Sequence, residues 1–142
     1  MADIHHPSQI SAPRAAWASI KRGLAGKCPH CGEGKMFRAY LKVVDECAVC
    51  GENLSHQRSD DAAPYMTIFV VGHIIGTGIL IGEEYFDPVP YWFSFSVWPI
   101  LTLILSLWLL PIMKGGLIGL QWAMKMHGFG AQDANLPAPA HE

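Results

Sequence analysis

Two long apolar segments without a charged residue constrain the fold of this chain more than any other feature. They cover residues 64–82 and 89–113, and neither contains Asp, Glu, Lys or Arg. As helices with a rise of ~1.5 Å per residue they would extend about 28 Å and 37 Å, enough to cross a hydrocarbon core of roughly 30 Å. Because only residues 83–88 connect them, we expect an all-α membrane protein built on a two-span antiparallel helical hairpin.

The rest of the chain forms short segments on either side of this hairpin. Once the spans are made, 142 residues leave no room for a large soluble core. We predict, in chain order, an N-terminal tail with an amphipathic segment (1–26), a small zinc-ribbon-like module (27–52), a linker (53–63), the transmembrane hairpin (64–113), an interfacial amphipathic helix (114–128) and a disordered tail (129–142). A bent continuation of the second span is the alternative for residues 114–128.

The charged residues are distributed unevenly along the chain. The net charge of -2 gives none of the basic character that nucleic-acid binding requires. Of the 10 basic residues, all but Lys114 and Lys125 precede the first span, whereas the connector is acidic. Basic residues are retained on the cytoplasmic side of a bilayer. We therefore expect a multi-pass plasma-membrane protein with both termini and the zinc-ribbon-like module in the cytoplasm.

Four cysteines form two C-x2-C pairs with fifteen residues between them: Cys28, Cys31, Cys47 and Cys50. Each pair would form a tight turn that offers two thiolates to one ion, and the glycine after each pair would let backbone N–H groups approach the sulfurs. Residues 1–27 lack the continuous apolar stretch of a secretory signal, so we expect reduced cysteines that bind metal. Four thiolates close a tetrahedral shell, which predicts one structural zinc ion.

Other occupants of the four-thiolate site remain open. Iron accepts the same ligands, and a redox-active dithiol is a further alternative. His30 lies inside the first pair, and because four cysteines already complete the shell we predict that it is an exposed turn residue. The negative charge of the thiolates would be offset in part by nearby cations, namely Lys27, Lys35, Arg38 and Lys42.

Two short helical features are predicted before the first span. A helix from about Ser11 to Leu24 would carry Trp17, Ile20 and Leu24 on one face. That face would rest on an anionic membrane surface or pack on the cysteine module, and both interpretations remain open.

The aspartates Asp60 and Asp61, followed by two alanines and Pro64, are typical of a helix start. We predict that one of them caps the first span, where the helix dipole favours negative charge. Binding of a cation or of a partner's arginine is the alternative.

The first span carries two pairs of glycines, Gly72 with Gly76 and Gly78 with Gly82. Glycines at this spacing let another helix approach closely, and the two pairs fall on different sides of the helix. We predict that one pair contacts the second span and the other a partner protein.

His73 is the only ionisable histidine, acid or base in either span. Such residues in a membrane are costly and usually functional, so we place His73 with the glycines in the partner-binding set. The alternatives are a hydrogen bond to Ser94, Ser96 or Thr102 of the second span, and ligation of copper or haem.

The motifs occur in an order that resembles a known family. The sequences CPHCGEGKMFRAYLKV, CAVCG, RSDDAAPYMTIFVVGHI and KGGLIGLQWAMKMHG are similar to those of the bacterial inner-membrane family catalogued as domain of unknown function 983. The resemblance covers roughly residues 17–128. It implies a two-span protein with a cytoplasmic zinc-ribbon-like head and without an established enzymatic activity. In alphaproteobacteria the family's genes often lie among those for cytochrome c oxidase subunits and assembly factors, which implies a role in oxidase biogenesis.

The expected function is that of a non-enzymatic membrane accessory or assembly factor for a respiratory complex, with cytochrome c oxidase, a haem-copper oxidase, as the favoured partner. No nucleophile with a base, phosphate-binding loop or open metal site in the sequence supports an enzymatic reaction. Two alternatives are a chaperone that handles metal or haem through the cysteines or His73, and a cysteine redox sensor at the membrane.

Overall fold

Two long helices dominate the computed structural model, which describes residues 15–58, 61–86 and 88–129. The elements in this part of the chain are α1 (Ala16–Leu24), β1 (Phe37–Ala39), β2 (Lys42–Val43), α2 (Ala62–Tyr85), α3 (Tyr91–Ala123) and a 3-10 turn (Met126–Gly128). The predicted fold class is confirmed: the protein is mostly helical, with two apolar helices and a small N-terminal cysteine module. The predicted tails beyond residues 15 and 129 lie outside the described residues.

α2 and α3 are both long and apolar enough to cross a bilayer. They have 24 and 33 residues, so each extends past the span that the sequence predicts. Their large apolar side chains are mostly exposed, as in Leu80 (70% exposed) and Phe95 (79%). A soluble protein rarely exposes a continuous apolar surface of this kind, so these helices are suited to lipid and not to the core of a soluble domain.

The two long helices pack antiparallel. Near the connector, Trp98 of α3 lies over Gly78 and Gly82 of α2. Towards the other end, Val71 of α2 packs in one cluster with Leu109 of α3. Later residues of α2 thus contact earlier residues of α3, which is the arrangement expected of a hairpin with a short connector.

α3 continues beyond the predicted end of the second span. It runs through Pro99 and Pro111 to Ala123 without a break, so the separate interfacial helix predicted for residues 114–128 is not formed. The alternative, a continuation of the span, describes residues 114–123. The reason is that this part of α3 is covered by other segments of the chain and has no free apolar face to lay on a membrane.

α1 covers the glycines at the end of α3. Ser19 and Gly23 are buried residues of α1, and they face Gly119 and Gly115 of α3. A Cβ atom on Gly115 would overlap the carbonyl oxygen of Gly23, so the two backbones are in direct contact. The packed face of α1 overlaps the predicted one in part, because Ile20 and Leu24 also contact the glycines of α3, whereas Trp17 is 67% exposed.

The cysteine module shares its hydrophobic core with α3. Five buried side chains form one cluster, contributed by the module, by the linker, by α3 and by the segment after α3: Met36, Leu54, Ile118, Trp122 and Phe129. The linker is fixed to the same end of α3 by Gln121, whose side-chain amide accepts from the Arg58 N–H at 3.1 Å and donates to the Arg58 carbonyl at 2.6 Å. The module and the end of α3 thus form one folded unit.

Candidate metal centre and helix faces

The two cysteine pairs adopt the same turn. In the first, the N–H of Gly32 donates to the carbonyl of Cys28 at 2.9 Å, and in the second the N–H of Gly51 donates to the carbonyl of Cys47 at 2.8 Å. Both glycines have positive φ, 78° and 71°, a backbone region that other residues rarely adopt. The glycines are therefore needed for the turn, and the N–H of Gly34 is one of those that approach a sulfur, at 3.5 Å from Cys31 Sγ.

The four sulfurs converge on one point. All four Sγ atoms lie within 4.8 Å of one another, with Cys28 and Cys50 3.7 Å apart and Cys31 and Cys47 3.8 Å apart. Four sulfurs at ~2.3 Å from a central ion would be about 3.8 Å apart in a tetrahedron. The cysteines are free thiols and form no disulfide. The set therefore fits one metal ion such as zinc, as the sequence predicts.

The thiols differ in acidity. N–H groups of Gly34 and Glu33 stabilise the thiolate of Cys31 and lower its pKa to about 6. Burial raises the pKa of Cys28 and of Cys50. A metal ion binds thiolates only, so it would displace the protons held by Cys28 and Cys50.

Residues outside the predicted site hold the module in place. Arg22 of α1 donates to the carbonyls of Pro29 (3.2 Å) and His30 (2.8 Å) in the first pair's turn. Trp122 of α3 donates through Nε1 to Glu52, just after the second pair, at 2.8 Å. Lys27 and Lys35, two of the predicted cations, are paired through their backbones. No local pattern indicates these contacts, because each joins segments that are separated in sequence.

His30 is an exposed turn residue, as predicted, with 52% of its side chain accessible. Its ring nevertheless lies against Trp122, with ring centroids 5.6 Å apart, and its Nδ1 is 3.9 Å from a carboxylate oxygen of Glu52. The first cysteine pair is thereby connected to the same tryptophan and glutamate as the second.

Asp61 occupies the N-cap position of α2 without acting as a hydrogen-bonded cap. Its φ and ψ of -98° and -31° are close to helical, and its side chain makes no bond to the helix start. An N-cap side chain reaches the free N–H groups from an extended backbone, which explains why this one does not. The prediction of a side-chain cap is therefore wrong for Asp61, and Asp60 lies outside the described residues.

The two glycine pairs of α2 have different neighbours. A Cβ on Gly78 or Gly82 would lie 3.0 Å or 3.5 Å from the Trp98 indole of α3. A Cβ on Gly72 or Gly76 would meet nothing within 4 Å among the described residues. The face with Gly78 and Gly82 thus contacts the second long helix, as predicted for one pair, and the other face is open.

His73 lies on the open face. Its Nδ1 is 2.8 Å from the carbonyl oxygen of Phe69, one turn earlier in the same helix, and its ring stacks near that of Phe69 at 4.3 Å. Thr102 of the second span was an alternative hydrogen-bond partner for His73. Its hydroxyl instead donates to the carbonyl of Trp98 in its own helix.

A third glycine pair lies in α3, outside the predicted partner-binding set. Gly115 and Gly119 have the same spacing as the pairs of α2, and they form the closest helix contact in the described part of the chain. The spacing alone is a usable signal for close packing. It identifies no partner, however, and the sequence does not predict α1 at this position.

Comparisons with known proteins agree with this architecture. Neither the curated proteins nor the solved structures compared with the chain gave a match. The model of one family, described as "Protein of unknown function (DUF983)", matches residues 37–122. The matched region begins after the first cysteine pair and includes the second pair, α2 and nearly all of α3. Because the match covers more than half of the chain, and confirms the resemblance, the protein belongs to the DUF983 family.

Proposed function

We propose that this protein is a non-enzymatic accessory or assembly factor of a larger complex in the bacterial inner membrane, with cytochrome c oxidase, a haem-copper oxidase, as the candidate complex. The open face of α2 is the docking surface, and the cysteine module, stabilised by one structural zinc ion, lies on the cytoplasmic side with both termini. The distribution of basic residues supports this orientation. The oxidase is suggested by the gene neighbourhoods of the family that the sequence resembles.

The main support for the proposal is the difference between the two glycine pairs of α2. Both pairs have the spacing that admits a close helix neighbour, yet only Gly78 and Gly82 have one among the described residues. Beside Gly72 and Gly76 lies a shallow groove of about 400 Å³, lined by Ile68, Phe69, Gly72, His73, Gly76 and Thr77. A transmembrane helix packed into it would bring backbones close together, which is the main source of helix association where lipid is as apolar as the side chains.

The hydrogen-bonding groups of His73 also support docking of a partner at the open face of α2. A carbonyl oxygen can only accept, so the Nδ1 beside the Phe69 carbonyl carries the proton and Nε2 of the neutral ring is an acceptor. An unsatisfied acceptor at this depth is costly, because lipid supplies no donor. A partner helix with a hydroxyl or amide opposite His73 would supply one.

The metal centre supports a structural role over a catalytic one. Four thiolates already complete a tetrahedral shell, which leaves no position for water or a substrate. The residues around the metal centre also have a structural role: Arg22, Glu52 and Trp122 connect the module to α1 and α3.

The test is purification from native membranes in mild detergent, with mass spectrometry of the accompanying chains and metal analysis of the same sample. The proposal expects stoichiometric oxidase subunits and one zinc ion per chain. Replacing Gly72 and Gly76 by leucine should remove the partner without removing the zinc. The matched control is Leu103→Phe, which adds bulk at a position of α3 that is 60% exposed. Recovery of the protein alone in native form would refute the docking role.

Two other outcomes would favour the alternative functions. A lone protein that carries copper, iron or haem, and loses it quickly to a weak chelator, would indicate metal or haem handling. A loss of free thiols under mild oxidation, with release of the ion, would indicate a redox sensor. An unchanged thiol count would exclude it.

A further inference from the structure

The turn between β1 and β2 has an unusual sequence for its conformation. Ala39 pairs with Lys42, so Tyr40 and Leu41 form a two-residue turn. Such turns favour Asn and Gly because positive φ is required. Here Leu41 has a φ of 59°, and Tyr40 is 55% exposed. A turn with an exposed aromatic residue and a half-buried leucine in a backbone region costly for that residue is poorly suited to water.

The turn contacts α3 at a backbone carbonyl that lacks its helical partner. Pro111 has no N–H, so the carbonyl of Leu107, four residues earlier, receives no bond from that position of the helix. The hydroxyl of Tyr40 donates to this oxygen at 2.7 Å. On the other side of the turn, Nζ of Lys114 donates to the carbonyl of Leu41 at 3.0 Å. The turn is thus fixed to α3 at two points.

The position of Leu107 sets the depth of the turn. It lies six residues before the end of the apolar segment at residue 113, about 9 Å along the helix axis. Its neighbour Leu109 packs with Val71 of α2, seven residues inside the other apolar segment. A bilayer that covers both segments therefore also covers the contact between Tyr40 and Leu107.

The residues around the turn carry one sign of charge. Residues 34–44 contain Lys35, Arg38 and Lys42 and no acid. Arg38 and Lys42 flank the turn and are exposed. An aromatic residue with cations on either side is typical of segments that lie at the boundary between hydrocarbon and anionic headgroups.

We propose that the turn Tyr40–Leu41 of the cysteine module is inserted into the nearer leaflet of the bilayer, with Arg38 and Lys42 binding the phosphates of anionic lipids. The Tyr40 hydroxyl satisfies the Leu107 carbonyl at a depth where water does not, and the apolar turn replaces lipid against α3. The module is then a membrane-embedded part of the protein and not a head held away from the surface. This inference does not depend on the identity of the partner complex.

The test uses the full chain in nanodiscs of phosphatidylcholine and phosphatidylglycerol. A photoreactive p-benzoylphenylalanine replaces Tyr40 in one variant and Val49 in the control. Val49 is equally exposed, at 58%, but lies in the second cysteine pair, which is fixed to the far end of α3 by Glu52 and Trp122. Retention of one metal ion per chain shows that each variant is folded. We expect lipid adducts at position 40 and not at position 49. Equal yields at both positions, or none at position 40, would overturn the insertion.

The headgroup contacts have a separate readout in the same nanodiscs. The adducts at position 40 should be enriched in phosphatidylglycerol over its bulk share. Arg38→Gln together with Lys42→Gln, added to the variant that is photoreactive at position 40, should return the adducts to the bulk ratio, as should high salt without these two substitutions. Adducts that already match the bulk ratio at low salt with Arg38 and Lys42 present would contradict binding of anionic lipids.

Discussion

The two halves of α3 are held in different ways. Every residue of this helix is described, and the buried ones all lie at Leu109 or beyond. From Tyr91 to Trp108 none is buried, and Trp98 is the side chain that meets the glycines of α2. The second half instead touches α1 through backbone and shares a core with the cysteine module, and the bond from Tyr40 is accepted by Leu107, just before this half begins.

The difference shows where this small protein obtains its stability. The half next to the metal centre is fixed by contacts between segments far apart in sequence. In the other half, lipid and any partner helix must cover the apolar side chains, since in the described part of the chain α2 packs along it and Tyr40 contacts its end at Leu107. The protein is therefore a rigid unit at one end and an open apolar surface at the other, as the proposed docking role requires.

Removal of the metal centre should have the largest effect, and it should be confined to the rigid end. Cys47→Ser removes one of four ligands, and the binding of a structural zinc contributes about 10 kcal/mol or more to the fold it stabilises. We expect loss of the ion and loss of hydrogen-exchange protection across residues 27–54, with protection retained in α2 and the first half of α3. The control is Val49→Ala in the same cysteine pair. Unchanged protection in the module would show that its core holds without metal.

Disruption of the close contact between α1 and α3 should have the second-largest effect on stability. Gly115→Ala places a Cβ on the Gly23 carbonyl, where backbone and not a flexible side chain must move. We expect a cost of about 3 kcal/mol in unfolding free energy, measured by thermal denaturation in detergent. Gly72→Ala is the matched control on the open face, and since alanine favours helix over glycine it should be neutral or stabilising by up to about 1 kcal/mol. Equal costs would remove the distinction between the two regions.

Metal affinity should depend steeply on pH. At neutral pH the thiols of Cys28 and Cys50, with raised pKa, hold protons that the ion must displace, whereas Cys31, with a pKa of about 6, is already a thiolate. Raising the pH removes this competition, so affinity rises with pH, by at least about a hundredfold per unit for two displaced protons. Competition with a chelator of known affinity at pH 7 and pH 8 measures this. A flat profile would mean that all four thiolates exist before binding.

Loss of the hydrogen bond between Tyr40 and Leu107 should lower stability moderately, by an amount that depends on Pro111. Tyr40→Phe keeps the ring and leaves the carbonyl unpaired, which should cost about 1 kcal/mol, or about 4 °C in melting temperature. In a Pro111→Ala background the helix supplies its own N–H, and the same substitution should then cost little. The double-mutant cycle measures the difference. Equal costs in both backgrounds would show that the hydroxyl serves another purpose.

Local sequence patterns were sufficient for the features that depend on few residues. The cysteine spacing predicts the metal centre because each turn is made within five residues, with Gly32 and Gly51 at the positions of positive φ. The apolar segments predict α2 and α3 because length and composition alone decide whether a helix can cross a bilayer. The glycine spacing in α2 predicts two faces and one contact with α3.

The contacts of the rigid end could not be predicted in the same way. The pairings of Gly23 with Gly115 and of Glu52 with Trp122 join segments separated by about seventy residues or more. The spacing of Gly115 and Gly119 indicates close packing, but no local pattern identifies the partner of Gly115 or of Trp122. The prediction of a cap at Asp61 was wrong because its residue type favours a cap but its backbone, with φ of -98° and ψ of -31°, is nearly helical, and no local pattern predicts that conformation. Sequence patterns thus identified the elements, and tertiary packing decided how they were used.

Removal of a threonine hydroxyl that is bonded only within its own helix should have the smallest effect on the unfolding free energy, at either end of the protein. Thr102 in the first half of α3 donates to the Trp98 carbonyl at 2.7 Å, and Thr67 at the buried end of α2 donates to the Ala63 carbonyl at 2.8 Å. Valine has nearly the same shape, and each carbonyl keeps its backbone bond, so both substitutions should change the unfolding free energy by about 0.5 kcal/mol or less. A larger loss for Thr102→Val, or loss of a co-purifying partner, would mean that its hydroxyl also bonds across helices. If both effects are small, the rigid end is distinguished by contacts between segments and not by burial of polar groups, since Thr67 is buried and Thr102 is not.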